Sequence, residues 1–120
     1  MKIVSMEEAR ALNENKNDFG VEAREWFSKT KNDASFASNF YTNEDAKRIV
    51  KELYNAGAKL VIVGEIENEK WRIEEEGDMY SATLFVIVEK DKTAKVKDVI
   101  IKYRPDEYSK KKEMLRCWWD

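Results

Sequence analysis

The side chains with the most chemical potential cluster between positions 65 and 78. Glu65, Glu67 and Glu69 alternate, so an extended backbone would align their carboxylates, and Glu74, Glu75, Glu76 and Asp78 lie just beyond. A hard cation such as Mg2+ or Ca2+ takes oxygen ligands of this kind. The spacing matches no calcium-binding loop, however, and Lys70 and Arg72 interrupt it. A solvated, charged hairpin is the expected role, with no metal and no cofactor bound. The single cysteine, Cys117, follows Arg116, whose charge favours the reactive thiolate. The chain contains no histidine, so no imidazole base stands ready to activate that thiol. The same lack removes Ser-His-Asp and Cys-His catalysis and histidine metal centres. Cys117 is therefore expected to be structural, while carboxylate, Lys, Tyr and Arg chemistry stays open. The four glycines form no phosphate-cradling loop, because Gly57 falls between a helix and a strand and Gly64 falls in a strand.

Trp118 and Trp119 are adjacent. On a strand they point to opposite sides, one into the core and one available as an anchor at a binding surface, where Trp is enriched. Arg104, Tyr80 and Glu65 are the first candidates for a small-molecule site. Lys110-Lys111-Lys112 reads as a solvated loop. Tyr80 and Phe85 differ in strand parity, so they do not make the stacking platform of a recognition-motif RNA binder. The formal net charge of −2 also argues against nucleic acid as a partner. Charge is uneven along the chain: two basic and seven acidic residues lie between Glu65 and Asp78, and nine basic and four acidic between Lys90 and Lys112. Two solvated faces of opposite sign follow, and such faces can orient a charged partner.

The elements that must position these residues read from hydrophobic period. Ser5 and Glu8 fit a capping box. Residues 13–18 are polar and favour a break. Phe19, Ala23, Trp26 and Phe27 share helical spacing, so residues 1–33 are expected to form a helical N-terminal segment. Ser35 to Tyr41 alternates and reads as a strand. Thr42 then caps a helix with a buried stripe of Ala46, Ile49, Val50 and Leu53, stopped by Gly57. Ala58 to Ile66 is a β-branched strand, Trp71 to Glu74 a short additional one, and Met79 to Glu89 the next. Asp91 is the expected cap of a second helix through Val96, Val99, Ile100 and Tyr103. That segment also alternates as a strand would, but Lys and Asp are poor strand formers. Pro105 ends it, and Lys112 to Trp119 is a last strand.

From Ser35 the order is β-α-β-β-α-β, an α+β class with the ferredoxin-like, four-stranded antiparallel layout and both helices on one face. At 120 residues, with 42% apolar and 38% charged side chains, one domain over 1–120 is expected, its residues 34–120 forming the α+β sandwich. Its strands are apolar on both parities, so the face away from the helices should still carry Phe85, Ile87 and one terminal Trp. A bare patch of that kind calls for a cover. The N-terminal segment, laying Phe19, Trp26 and Phe27 across the sheet, is one cover; a second copy in a homodimer is another. No apolar run reaches the roughly 20 residues of a membrane span, and the acidic start argues against a signal peptide. A soluble, cytoplasmic protein is expected. Trp118, Trp119, Phe85 and Arg104 are the candidate binding residues of a non-enzymatic protein-interaction or regulatory module, compatible with toxin neutralisation. The alternative is a small-molecule binder or enzyme with its pocket between the sheet and the N-terminal helices.

Overall fold

A computed structural model describes residues 1–12 and 18–120; most of the expected break over 13–18 lies outside them. The chain runs β1 (Lys2–Ile3), α1 (Met6–Leu12), β2 (Phe19–Glu22), α2 (Ala23–Lys29), α3 (Asn43–Asn55), β3 (Leu60–Gly64), α4 (Lys70–Glu76), β4 (Thr83–Ile87), α5 (Thr93–Lys102), β5 (Glu107–Lys111) and β6 (Met114–Trp118). The strands form one sheet in the order β1-β2-β3-β4-β6-β5. Only β1 and β2 run parallel; the other neighbours are antiparallel. No helix among the described residues is long and apolar enough to cross a membrane.

The α+β class stands, but the four-stranded ferredoxin-like layout does not. Ser35 to Tyr41 is no strand. It contributes a single bridge, Phe36 to Ser81, and then turns, with Ala37 at a positive φ of 44°. The strand beside β3 is instead β2, drawn from residues expected in a helix. Phe19 and Val21 are buried at alternate positions, and Gly20 lets the neighbouring strand close in. A Cβ at Gly20 would sit 2.4 Å from Ile62 Cγ2. The helix begins only at Ala23, where the Glu22 carboxylate accepts from the backbone N–H groups of Arg24 and Glu25. Residues 71–74 are likewise helical, not extended. Arg72 holds α4 by pairing with Glu69 and Glu76 one turn away on either side, and Gly77 ends it with a φ of 94°.

Helices α3 and α5 form where the apolar period places them. Thr42 and Asp45 cap α3 reciprocally, each side chain accepting from the other's backbone N–H. The second helix is α5, so residues 95–102 are helical, with Val96 and Ile100 buried. Asp91 does not cap it; that residue sits in a 3-10 turn, Lys90–Lys92, and α5 starts from Lys92 without a side-chain cap.

The expected loop at Lys110 to Lys112 is mostly strand. All five residues of β5 are exposed, and it is held to β6 across a tight turn in which Lys112 adopts a φ of 57°. A side chain at such an angle is strained and glycine is not. Lys112→Gly is therefore expected to raise the unfolding free energy by up to about 1 kcal/mol in urea titrations.

One packed core holds the molecule together. Val21, Val61, Val63, Leu84, Val86, Leu115 and Cys117 line one sheet face, and the buried residues of α1, α2, α3 and α5 all join the same cluster, with Ile73 of α4 packed against it. Arg10 anchors α1 within this layer. Its guanidinium grips the fully buried Asp78 through two bonds, of 3.0 and 2.8 Å. Asp78 also accepts from the backbone N–H groups of Lys31 and Met79 at 2.9 Å each, so one carboxylate ties three segments together.

Candidate functional site

Among the described residues the five α-helices all pack on one side of the sheet, and no helix lies over the other face. Residues directly opposite on neighbouring strands share a face. The rows Leu60–Ile87–Met114, Ile62–Phe85–Arg116 and Gly64–Thr83–Trp118 therefore stand together on the open side. Ile3, paired with Gly20, belongs to the same side.

Two glycines shape this surface. A Cβ at Gly64 would lie 2.4 Å from Phe85 Cε2, so the phenyl ring lies directly over the glycine. Ile62 fills the space above Gly20 in the same manner, and the Met1 thioether reaches both glycines. As a result Ile62 is 1% and Phe85 7% exposed although no helix or strand among the described residues covers them. Around them Leu60, Ile87, Met114 and Trp118 are half-buried, and Met1 and Ile3 are 48% and 43% exposed. The result is a low, apolar, nearly continuous surface. Gly64→Ala must displace the Phe85 ring. Overpacking of this kind costs about 1–3 kcal/mol, to be read as an earlier urea midpoint, with no change expected if the ring already stood clear.

The polar end of the face is built on Glu65. Its carboxylate accepts from Arg116 Nε at 2.6 Å and Nη2 at 2.7 Å, and from Thr83 Oγ1 at 3.1 Å. Arg116 Nη1 donates to Glu107 at 2.9 Å. The Arg116 bonds hold the Glu65 carboxyl below its ordinary range, ahead of the opposing effect of burial, and they raise the guanidinium in return. Glu65 also carries a φ of 45°, a strained angle for a residue with a Cβ. A carboxylate this fully engaged is a fixed acceptor, not a proton-transfer group. The row of Glu65, Glu67 and Glu69 does not form: Glu67 and Glu69 turn to Arg72, each at 3.1 Å.

The two tryptophans divide as a strand requires. Trp118 lies on the open face. Trp119 is 2% exposed in the core, donates from Nε1 to the Tyr103 carbonyl at 2.9 Å, and meets Phe36 and Tyr41 edge-on. Trp119 is thus a core residue and offers no surface to a partner. Phe85 belongs to the open face with Trp118. Arg104 does not; it is exposed just beyond α5, at a φ of 51°. Tyr80 accepts from the Ser38 N–H at 3.2 Å. Among the described residues, Arg104, Tyr80 and Glu65 share no hydrogen-bond partner. Nor do Phe19, Trp26 and Phe27 cover the open face, because all three pack on the helix side. They fill, with Met6 and Ala9, the space between the sheet and the N-terminal helices where a pocket was expected. Burial pushes the Cys117 thiol up to about 12, against the smaller pull of Arg116, so it stays protonated and inert.

Sequence reading missed Met1, Ile3, Leu60 and Met114 as parts of this surface. The available signal was Gly64 inside an apolar strand, which marks a close approach. The chain matches no protein-family model, and no curated protein or solved structure is significantly similar to it.

Proposed function

We propose that this chain is a non-enzymatic interaction module that binds a partner protein on the open face of its sheet, in a regulatory or inhibitory role such as toxin neutralisation. The observation that carries this reading is the apolar face of Leu60, Phe85, Ile87, Met114 and Trp118 with no helix over it. Trp118 supplies the aromatic anchor that interfaces favour at their centres. The Glu65–Arg116–Glu107 network supplies a fixed polar rim that sets orientation more than strength.

The test compares affinity capture from the native cell by the wild-type chain, by Trp118→Ala, by Ile87→Asp/Met114→Asp, and by the helix-side control Ile101→Glu. The expected result is one protein recovered by the wild type and the control, held at least about tenfold more weakly by Trp118→Ala and lost by the double variant, with all four chains folded by circular dichroism. Recovery of that protein by the double variant, or of no protein by any chain, would overturn the reading.

A further inference from the structure

A concave feature lies on the helix side of the molecule, between α2 and α3. It is a groove of about 450 Å3, within the size range of small-ligand sites. Its floor is apolar. Phe27 of α2 and Val50 of α3 present their edges there, and Tyr54 closes one end. The Tyr54 ring is fixed: its hydroxyl donates to Glu22 at 2.7 Å and accepts from the Val61 N–H at 3.0 Å. The Arg24 guanidinium stacks 4.2 Å above that ring.

The rim has one sign of charge. Arg24, Lys47 and Lys51 border the groove, and no carboxylate lines it among the described residues. The chain as a whole carries a formal net charge of −2, so this is a local inversion. Arg24 is partly answered by Glu22 at 3.2 Å and Lys47 by Glu44 at 3.1 Å. The Lys47–Glu44 pair is solvent-exposed on both sides and holds weakly. Arg24 is exposed but its partner Glu22 is mostly buried, so Lys47 and Lys51 are the freer charges of the rim. Cations beside a desolvated apolar floor attract an anion that has an apolar body.

We infer that the α2–α3 groove binds a small amphiphilic anion, a carboxylate or sulfonate carried on an aliphatic or aromatic body, with its headgroup at Arg24, Lys47 and Lys51 and its body on Phe27, Val50 and Tyr54. The site is independent of the open sheet face and stands or falls without it. Basic side chains at this rim supply the headgroup selectivity.

The experiment is a titration of the full chain, followed by amide chemical-shift mapping, with decanoate below its micelle concentration, and with decylammonium and 1-decanol as charge controls. The expected result is saturable decanoate binding, with shifts centred on residues 24–28 and 47–55. Lys47→Glu/Lys51→Glu, which changes only exposed side chains, is expected to weaken decanoate at least tenfold while the spectrum stays that of a folded chain. Equal binding of decanol or decylammonium, shifts centred on the open sheet face, unchanged affinity in the charge-reversed variant, or no saturation at all would each overturn the assignment.

Discussion

Trp119→Ala is expected to remove about 3–5 kcal/mol of stability, whereas Trp118→Ala, one residue away, is expected to remove about 1 kcal/mol or less. The difference follows from where each ring stands. Trp119 is closed in by Phe36 and Tyr41 at centroid distances of 5.9 and 6.0 Å, and its indole N–H satisfies the Tyr103 carbonyl. Truncation leaves a large cavity, which is the main cost; the Tyr103 carbonyl loses one of its two donors and keeps the Tyr41 hydroxyl at 2.6 Å. Trp118 is half-buried on the open face, and its side chain makes no hydrogen bond among the described residues. Because whole domains are stable by only about 5–15 kcal/mol, Trp119→Ala takes away a large share of the total. Urea titrations of both variants check this; equal losses would mean that the two rings are packed alike.

Asp78→Ala is the second large effect, about 3–5 kcal/mol, because it strips a buried ion pair of one partner and leaves two backbone N–H groups without an acceptor. Burial by itself would raise the Asp78 carboxyl. The bonds from Arg10, Lys31 and Met79 outweigh it, and the group sits below its ordinary value of 3.8. A carboxyl depressed in the folded state contributes stability that is fully present above its unfolded value and is lost as the pH falls through the folded one. Acidification below about pH 4 is therefore expected to destabilise the wild type more steeply than Asp78→Asn, measured as the change in urea midpoint between neutral and acidic buffer. Glu22 and Glu65 are depressed in the same direction, so the variant keeps a residual slope. Identical slopes in the two proteins would remove Asp78 from the account.

What was legible in the sequence is what local chemistry decides. Thr42 and Asp45, followed by the Ala46, Ile49, Val50 and Leu53 stripe, specify α3 within a single window, and the β-branched run of β3 has no competing reading. The misread segments are those in which distant residues break a tie. Phe19, Ala23, Trp26 and Phe27 share helical spacing, yet Phe19, Val21 and Ala23 alternate just as well; the fit of Gly20 against Ile62, more than forty positions away, selects the strand. Phe36, Ser38 and Phe40 alternate, but the backbone turns at Ala37 and leaves Phe40 exposed. Strand β5 has no buried residue at all, so its sequence carries no period to read, and only pairing with β6 defines it. The candidate site shows the same division. Strand parity separates Trp118 from Trp119 but does not say which faces inward. The Glu65–Arg116 pair spans fifty-one positions and becomes visible only when β3, β4 and β6 are side by side.

The two margins of the sheet bear on how the protein behaves when concentrated. One margin is a ribbon of two residues, too short to template another chain, and the other presents Lys110 and Lys111 along its length. Short outer ribbons and lysine-bearing ones are the devices by which β proteins resist fibrous growth. Sideways addition of a strand from another molecule is therefore disfavoured at both borders, and prolonged incubation at high concentration is expected to leave thioflavin fluorescence flat. Replacing Lys110 and Lys111 together with Val removes one of those barriers and is expected to shorten the lag to fibril formation.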